Sequence, residues 1–315
     1  MSVQSSAVTK RKTKELGFWQ KVWRQRQLVV LSLPVLMVII FSYVPLWGWS
    51  FAFFNYKPTT GLNVFANDWI GLQSFQELFT DAYFWRGLKN SLGIGVLKIV
   101  FSYVFSLLLA VMINEVKATW FKRTVQTVSY LPHFVSWVVA ANLVFVTLSP
   151  DSGIVNEILL KLGIVDNPIS FMGKPNLFWL IVALTEVWKN AGYSAIVYLA
   201  AMTSIDPSLY ESADIDGAGR FSKIWNISIM PTIKILLVLS IGRLLSVGFE
   251  QVYVLKSAST TETATTLEVY IYDYAMKYGL WSKGSAMSIF NSIVSVVLIV
   301  GCNMLVKRMD GEGIM

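Results

Sequence analysis

The 315-residue sequence contains one cysteine, Cys302, and one histidine, His133. A lone cysteine excludes a disulfide within the chain and a cysteine cluster for a metal. A lone histidine argues against histidine-based metal sites and against triad chemistry, which needs histidine as its base. Charge is sparse: Asp, Glu, Lys and Arg make up 14% of the chain, against about 25% for a soluble domain. No G-x-x-x-x-G-K-[ST] run is present, so the chain has no P-loop of its own. Gly217-Ala218-Gly219-Arg220 lacks both the spacing and the lysine, and reads as a helix terminator. A cleavable leader is not expected, because the N-terminus is long and basic and the first apolar run is too long for a leader's core. Catalytic and metal-binding classes are therefore disfavoured, and no cofactor is expected to sit on this chain.

What the sequence has instead is apolar length. Hydrophobic residues make up 55%. Apolar runs fall at residues 28–54, 91–113, 125–148, 177–202, 227–247 and 285–306. A bilayer needs about 20 apolar residues per helix, so the fold expected is all-α and polytopic, with six transmembrane helices. The first run exceeds that length and should tilt, and Pro34 and Pro45 can kink it. Trp47, Trp49 and Tyr56 suit an interfacial aromatic belt.

Net charge is +7 and uneven. Lys10, Arg11, Lys12, Lys14, Lys21, Arg24 and Arg26 precede the first run against Glu15 alone. Beside an apolar run, such a cluster is an orientation signal rather than a nucleic-acid site, since basic residues stay in the cytoplasm. Six spans put both termini on one side. Lys307 and Arg308, together with the Lys117, Lys122 and Arg123 loop, then share the cytoplasmic side with the N-terminus. Phe18, Trp19, Val22 and Trp23 share a helical face and suggest an amphipathic segment lying on the lipid surface.

Ionisable residues inside a membrane are costly and tend to face a bundle interior or a polar path. Glu186 and Lys189, with Asn190 beside them, have the i,i+3 spacing of a same-face pair. They read either as an ion pair pinning neighbouring helices or as part of a substrate pathway. Lys98 can snorkel to an interface, a reading preferred here over substrate contact. Arg243 and Glu250 bracket the outer end of the fifth run and read as pathway residues. His133 beside Pro132 reads as a satisfied helix-start residue, and Cys302 as a small apolar core residue.

The most informative stretch is 210–231, YESADIDGAGRFSKIWNISIMP, between the fourth and fifth runs. Just before it, Asp206 suits an N-cap and Pro207 the first helical position. Ser208 and Glu211 have capping-box spacing. Gly217 and Gly219 should end that helix, and a second short piece over 220–226 leads into the fifth run. The expectation is a helix, a glycine break and a second helix, held between two spans on the cytoplasmic side.

Glu211, Ala213, Asp216, Gly217, Ala218 and Ile227 fall on the pattern E-A-A-x-x-D-G-A, followed by Ile and Leu-Pro, of binding-protein-dependent ABC importer permeases. Ser212 replaces the family's usual Ala, and Met230-Pro231 its Leu-Pro. Further stretches, FKRTVQTVSYLPHFVSWVV at 121–139, the segment 187–220 and SVGFEQVYVL at 246–255, resemble the oligosaccharide-importer permeases of the branch that handles polysaccharide-derived sugars. The resemblance covers nearly all of the chain after about residue 10. It implies a maltose-permease-like fold with a five-helix core. That divides the chain into a basic segment at 1–27, the first helix and an external loop at 28–87, and the permease core at 88–315. The 206–226 loop would be the coupling helix that docks on an ATPase, with Glu211, Ser212, Ala213, Asp216, Gly217, Ala218 and Arg220 as its contact set. The partners implied are a second, related permease, two ATPase subunits holding ATP and Mg, an extracytoplasmic solute-binding protein and an oligosaccharide, all at a bacterial cytoplasmic membrane.

Two other classes stand against this reading. A secondary transporter driven by an ion gradient has no need of a capped cytoplasmic loop and is richer in acidic relay residues. A membrane-embedded enzyme would need clustered Asp, His or Glu, whereas Asp206, Glu211, Asp214 and Asp216 have no histidine near them.

Overall fold

The computed structural model describes residue 23 and residues 25–310. The basic N-terminal cluster apart from Arg26, and the amphipathic stretch apart from Trp23, lie outside the described residues. Within the described residues, regular structure is helical apart from one isolated antiparallel bridge, Phe54 with Trp69. The chain divides into two units, one ending at Ser50 and one beginning at Phe51.

In the first unit, α1 (Arg26–Val38) contains Pro34, which has no N–H for the ladder and crowds the preceding turn. The helix then widens into a π-helical stretch at Ile39–Tyr43 and tightens into 3-10 turns at Val44–Phe53. Such a change of pitch is how a proline-bearing helix re-pairs its backbone. Its apolar side chains point outward all round, as in Leu31 and Phe41, which suits a helix surrounded by lipid.

In the second unit, α2 (Gln73–Thr80) precedes α3 (Ala82–Glu115). This long helix begins at Ala82, not at residue 91, because Asp81 caps it: Tyr83 N donates to Asp81 Oδ1 at 2.8 Å. Arg86, Lys89 and Asn90 dilute the apolar signal over those first turns. At 34 residues, α3 is about 50 Å long at ~1.5 Å per residue.

The third apolar run is not one straight helix. It folds as α4 (Thr119–Tyr130), a 3-10 turn at Leu131–Phe134 and α5 (Trp137–Thr147), with a bend of 100°. Pro132 explains the break, since it cannot continue the α-helical ladder. Val135 and Ser136 are extended, and Ser136 Oγ caps α5 by accepting from Val139 N. A short α6 (Ile154–Lys161) lies in the loop that follows. The fourth run is α7 (Phe178–Thr203).

After α7 come α8 (Pro207–Ile215) and α9 (Arg220–Lys223). A π-helical stretch, Ile224–Ile229, joins α9 to α10 (Met230–Gly242). The stretch 249–283, between the fifth and sixth apolar runs, is largely helical: α11 (Phe249–Leu255), α12 (Thr261–Ala264) and α13 (Leu267–Tyr272). It leads into α14 (Trp281–Asp310), which carries Lys307 and Arg308 in its last turn.

Among the described residues three helices are long and apolar enough to cross a membrane outright: Arg26–Phe53, α3 and α14. The bent α4–α5 pair brings the number to four if it counts as one span. The most extensive helix pair is α3 with α7. At one end Leu107 and Ala110 of α3 pack on Ala195, Tyr198 and Met202 of α7. At the other, Ile94, Phe178 and Val182 pack against Val247, Val252 and Leu255. Small residues permit this approach. A Cβ on Gly95 would lie 2.1 Å from the Leu244 carbonyl oxygen, so only glycine fits between α3 and the turn after α10.

Candidate functional site

Three ionisable residues of the apolar runs, Lys98, Glu186 and Arg243, meet in one place. Lys98 on α3 does not snorkel outward. Its Nζ sits 2.8 Å from Glu186 Oε2 on α7 and donates to Val247 O at 2.7 Å and Gln251 Oε1 at 2.8 Å. Both side chains of the ion pair are mostly shielded, at 15% and 19% exposure. Gly248, at φ 90°, takes a conformation that glycine tolerates, and the turn presents the Val247 carbonyl to Lys98. Gln251, fully buried on α11, passes the network on by donating Nε2 to Val182 O at 2.8 Å.

The expected Glu186–Lys189 pair is not formed. Asn190 Nδ2 donates to Glu186 Oε1 at 2.6 Å, and Asn190 Oδ1 lies 2.8 Å from His133 Nδ1. Since Oδ1 can only accept, His133 carries its proton on Nδ1. The imidazole stacks on Tyr193 at 4.2 Å between centroids, so it is a satisfied structural residue. Lys189 turns the other way: its Nζ donates to His133 O at 2.5 Å and lies 5.2 Å from the Trp137 ring centroid. Helical spacing suggested a same-face pair, but the bend at Pro132 and the packing of α3 on α7 supply each group with a partner from another element.

A cavity of about 250 Å³ opens beside this network. It is lined by Lys98, Ser102 and Tyr103 of α3, Glu186, Ser194 and Tyr198 of α7, and Ser240 and Arg243 at the end of α10. An adjoining cavity of about 240 Å³ shares Tyr103, Tyr198, Ser240 and Arg243. Tyr103 and Ser240 are hydrogen-bonded at 2.9 Å. Arg243 is thus brought to the polar site, whereas Glu250 is exposed in the first turn of α11 and does not line the cavity. The neighbouring Gln251 is the residue that faces inward. The hydroxyl lining was missed in the sequence because single serines and tyrosines in apolar helices carry no motif.

The 206–226 segment is a second distinctive feature. Asp206 caps α8, its Oδ1 accepting from Ser208 N at 2.9 Å. Hydrogen bonds from the Ser208 backbone and side chain hold the Asp206 carboxyl below the usual carboxylate range. The Ser208–Glu211 capping box is not formed; Asp206 alone caps, and Glu211 is exposed. Gly217 ends α8 at φ 70°, and Ala218 N returns to Ala213 O at 2.9 Å, closing the C-terminal turn just after Asp216. Gly219 is not left-handed, at φ −64°, and serves as the N-cap of α9. Ser212 satisfies its hydroxyl within the helix, on the carbonyls of Ser208 and Leu209. Ala213 and Ala218 are half-buried, while Ser212, Asp216 and Arg220 are exposed. Two contacts fasten the segment to its surroundings, Tyr210 Oη with Ser228 Oγ at 2.7 Å and Arg220 with Glu115 at the end of α3, while Lys223 with Asp214 ties α9 to α8 within it. Leu209, Ile215 and Phe221 stand exposed on it.

The model of the family described as "Binding-protein-dependent transport system inner membrane component" matches residues 102–311. The chain belongs to this family. The match starts inside α3, just after Lys98, and takes in Glu186, Arg243, Gln251 and the capped segment before ending just after α14. The permease is 38% identical over 313 residues to the polygalacturonan/rhamnogalacturonan transport system permease protein YteP of Bacillus subtilis (strain 168), covering 98% of this chain and 96% of that one. It is 35% identical to protein LplB of the same organism, covering 96% and 95%. Among solved structures, it resembles a chain of the bacterial alginate ABC transporter in complex with an alginate pentasaccharide-bound periplasmic protein. The TM-score there is 0.80 at 37% identity, covering 94% of this chain and 99% of that one. The permease is accordingly a membrane transport component and not an enzyme.

Proposed function

We propose that this permease is one membrane subunit of an ATP-driven importer that receives oligosaccharides from an extracytoplasmic solute-binding protein. The reading places six spans in a bacterial cytoplasmic membrane with both termini inside. A second, related permease completes the pathway, and two ATPase subunits bind ATP and Mg. The observation that carries it is the capped α8–α9 segment in a chain without a P-loop: nucleotide chemistry must come from a partner, and this segment is built to dock. Its exposed Leu209, Ile215 and Phe221 offer apolar surface. Its ties to Glu115 and Ser228 would carry a push on α8 to α3 and to the stretch before α10. Glu211, Ser212, Asp216 and Arg220 supply polar contacts, and Ala213, Gly217 and Ala218 permit close approach. Closure of the ATPase dimer then moves the segment as a rigid body and turns the pathway outward. Such a switch requires ligands that bind the two states unequally.

The test is ATP hydrolysis by the purified assembly in lipid, with and without loaded binding protein. Loaded binding protein should raise hydrolysis severalfold. Ala213→Arg, which puts a long charged side chain on the docking face, should remove at least nine-tenths of that rise while the permease still inserts and is recovered in the membrane. Normal stimulation in that variant would exclude docking through α8.

A further inference from the structure

The residues that line the polar cavity carry two cations and one carboxylate. The ionisable lining is Lys98, Glu186 and Arg243, with the phenols of Tyr103 and Tyr198. Lys98 and Glu186 neutralise each other at 2.8 Å, and the remaining donor capacity of Lys98 goes to Val247 O and Gln251 Oε1. Glu268, a further carboxyl, is buried against the backbone of Gly248 and Phe249; it is close enough to Lys98 to feel that charge, but it does not line the cavity or pair with Arg243. Arg243 has no carboxylate within ion-pair distance among the described residues. It sits at the C-terminal end of α10, where helix carbonyls favour a cation. A guanidinium is protonated at any physiological pH and presents a planar fork of N–H donors matched to a carboxylate. The other lining groups, Ser102, Ser194, Ser240, Tyr103 and Tyr198, are hydroxyls suited to sugar hydroxyls.

We propose that this cavity is a subsite for a carboxylate-bearing sugar, with Arg243 as the carboxylate-binding group and the Lys98–Glu186 pair as a neutral wall. The inference rests on the importer reading and sharpens it from oligosaccharides in general to acidic ones. The geometry separates the two cations: Lys98 is spent on the fold, and Arg243 is left for the cargo. A neutral sugar entering here would offer the exposed Arg243 guanidinium no counter-charge and gain no charge-assisted bond from it. An acidic sugar forms two charge-assisted hydrogen bonds instead.

The experiment is uptake into vesicles holding the complete transporter, with its binding protein outside. The probes are a galacturonate tetramer, an alginate tetramer and the carboxyl-reduced form of each. The wild type should take up an acidic tetramer at least tenfold faster than its reduced form. Arg243→Gln should slow acidic uptake at least tenfold, the scale of a lost charged hydrogen bond. Arg243→Lys, which keeps the charge but loses the fork, should fall between the wild type and Arg243→Gln. Assembly recovered in equal yield from membranes controls for folding, and if Arg243→Gln fails to assemble, a smaller acidic-over-reduced preference in Arg243→Lys than in the wild type supports the assignment and an unchanged preference overturns it. Equal losses in Gln and Lys variants, or none in Gln, would overturn the carboxylate assignment. So would a wild type that prefers the reduced tetramers, which leaves the importer reading standing. Uptake of none of the four sugars would overturn the importer reading and the subsite with it.

Discussion

Glu186→Leu is expected to be among the most damaging single changes in the membrane region. It leaves Lys98 Nζ with two neutral acceptors, Val247 O and Gln251 Oε1, and without its ion-pair partner. The pair is more than four-fifths shielded on both sides, so solvent cannot take over. Removing one partner of such a pair typically costs about 3–5 kcal/mol, because the other charge stays buried. The unfolding midpoint of the purified permease should fall on the order of 10 °C. The double variant Lys98→Met with Glu186→Leu removes both charges and should regain most of that loss. It should remain about 1–2 kcal/mol short, since Asn190 Nδ2 loses its acceptor Glu186 Oε1 in both variants. A double variant no more stable than the single one would show that the pair does not act as a unit.

Gly192→Val should do comparable harm by a different route. Gly192 lies on α7 against the last turn of α4, just before the chain bends at Pro132. A Cβ there would stand 2.0 Å from Ser129 O, 2.2 Å from Ser129 C and 2.7 Å from Tyr130 N. All three atoms are backbone, so no side chain can swing aside. Overpacking a core costs about 1–3 kcal/mol when side chains yield, and this site should exceed that range. The α4–α7 contact would open and strain the hydrogen bond between His133 and Asn190, which bridges the same two segments. Gly301 on α14 is the contrast: nothing lies within 4 Å of its added Cβ. Gly301→Ala should be neutral or stabilise by about 0.5–1 kcal/mol. Thermal unfolding of the two variants side by side checks both. A Gly192→Val protein that melts with the wild type would mean that α4 and α7 are not held this closely in the membrane.

The sequence by itself determined what is local. Its scarce charge and long apolar runs required helices, because a backbone in lipid must satisfy its own hydrogen bonds. Asp206, Pro207 and Gly217 placed the ends of α8 within a residue or two, since capping depends on neighbours in the chain. The same limit explains what was not legible. Spacing along one helix paired Glu186 with Lys189, but the partner is Lys98, remote in sequence and brought over by the packing of α3 on α7. Hydropathy joined residues 125–148 into one span, although Pro132 was visible; only the fold shows that the break becomes a bend of 100°. Glu250 and Gln251 are adjacent, and which of them turns inward depends on how α11 docks. Tertiary structure alone decided the charge balance of the cavity. A lysine and an arginine look equivalent in the sequence, and the distances leave one paired to the fold and the other open to a ligand.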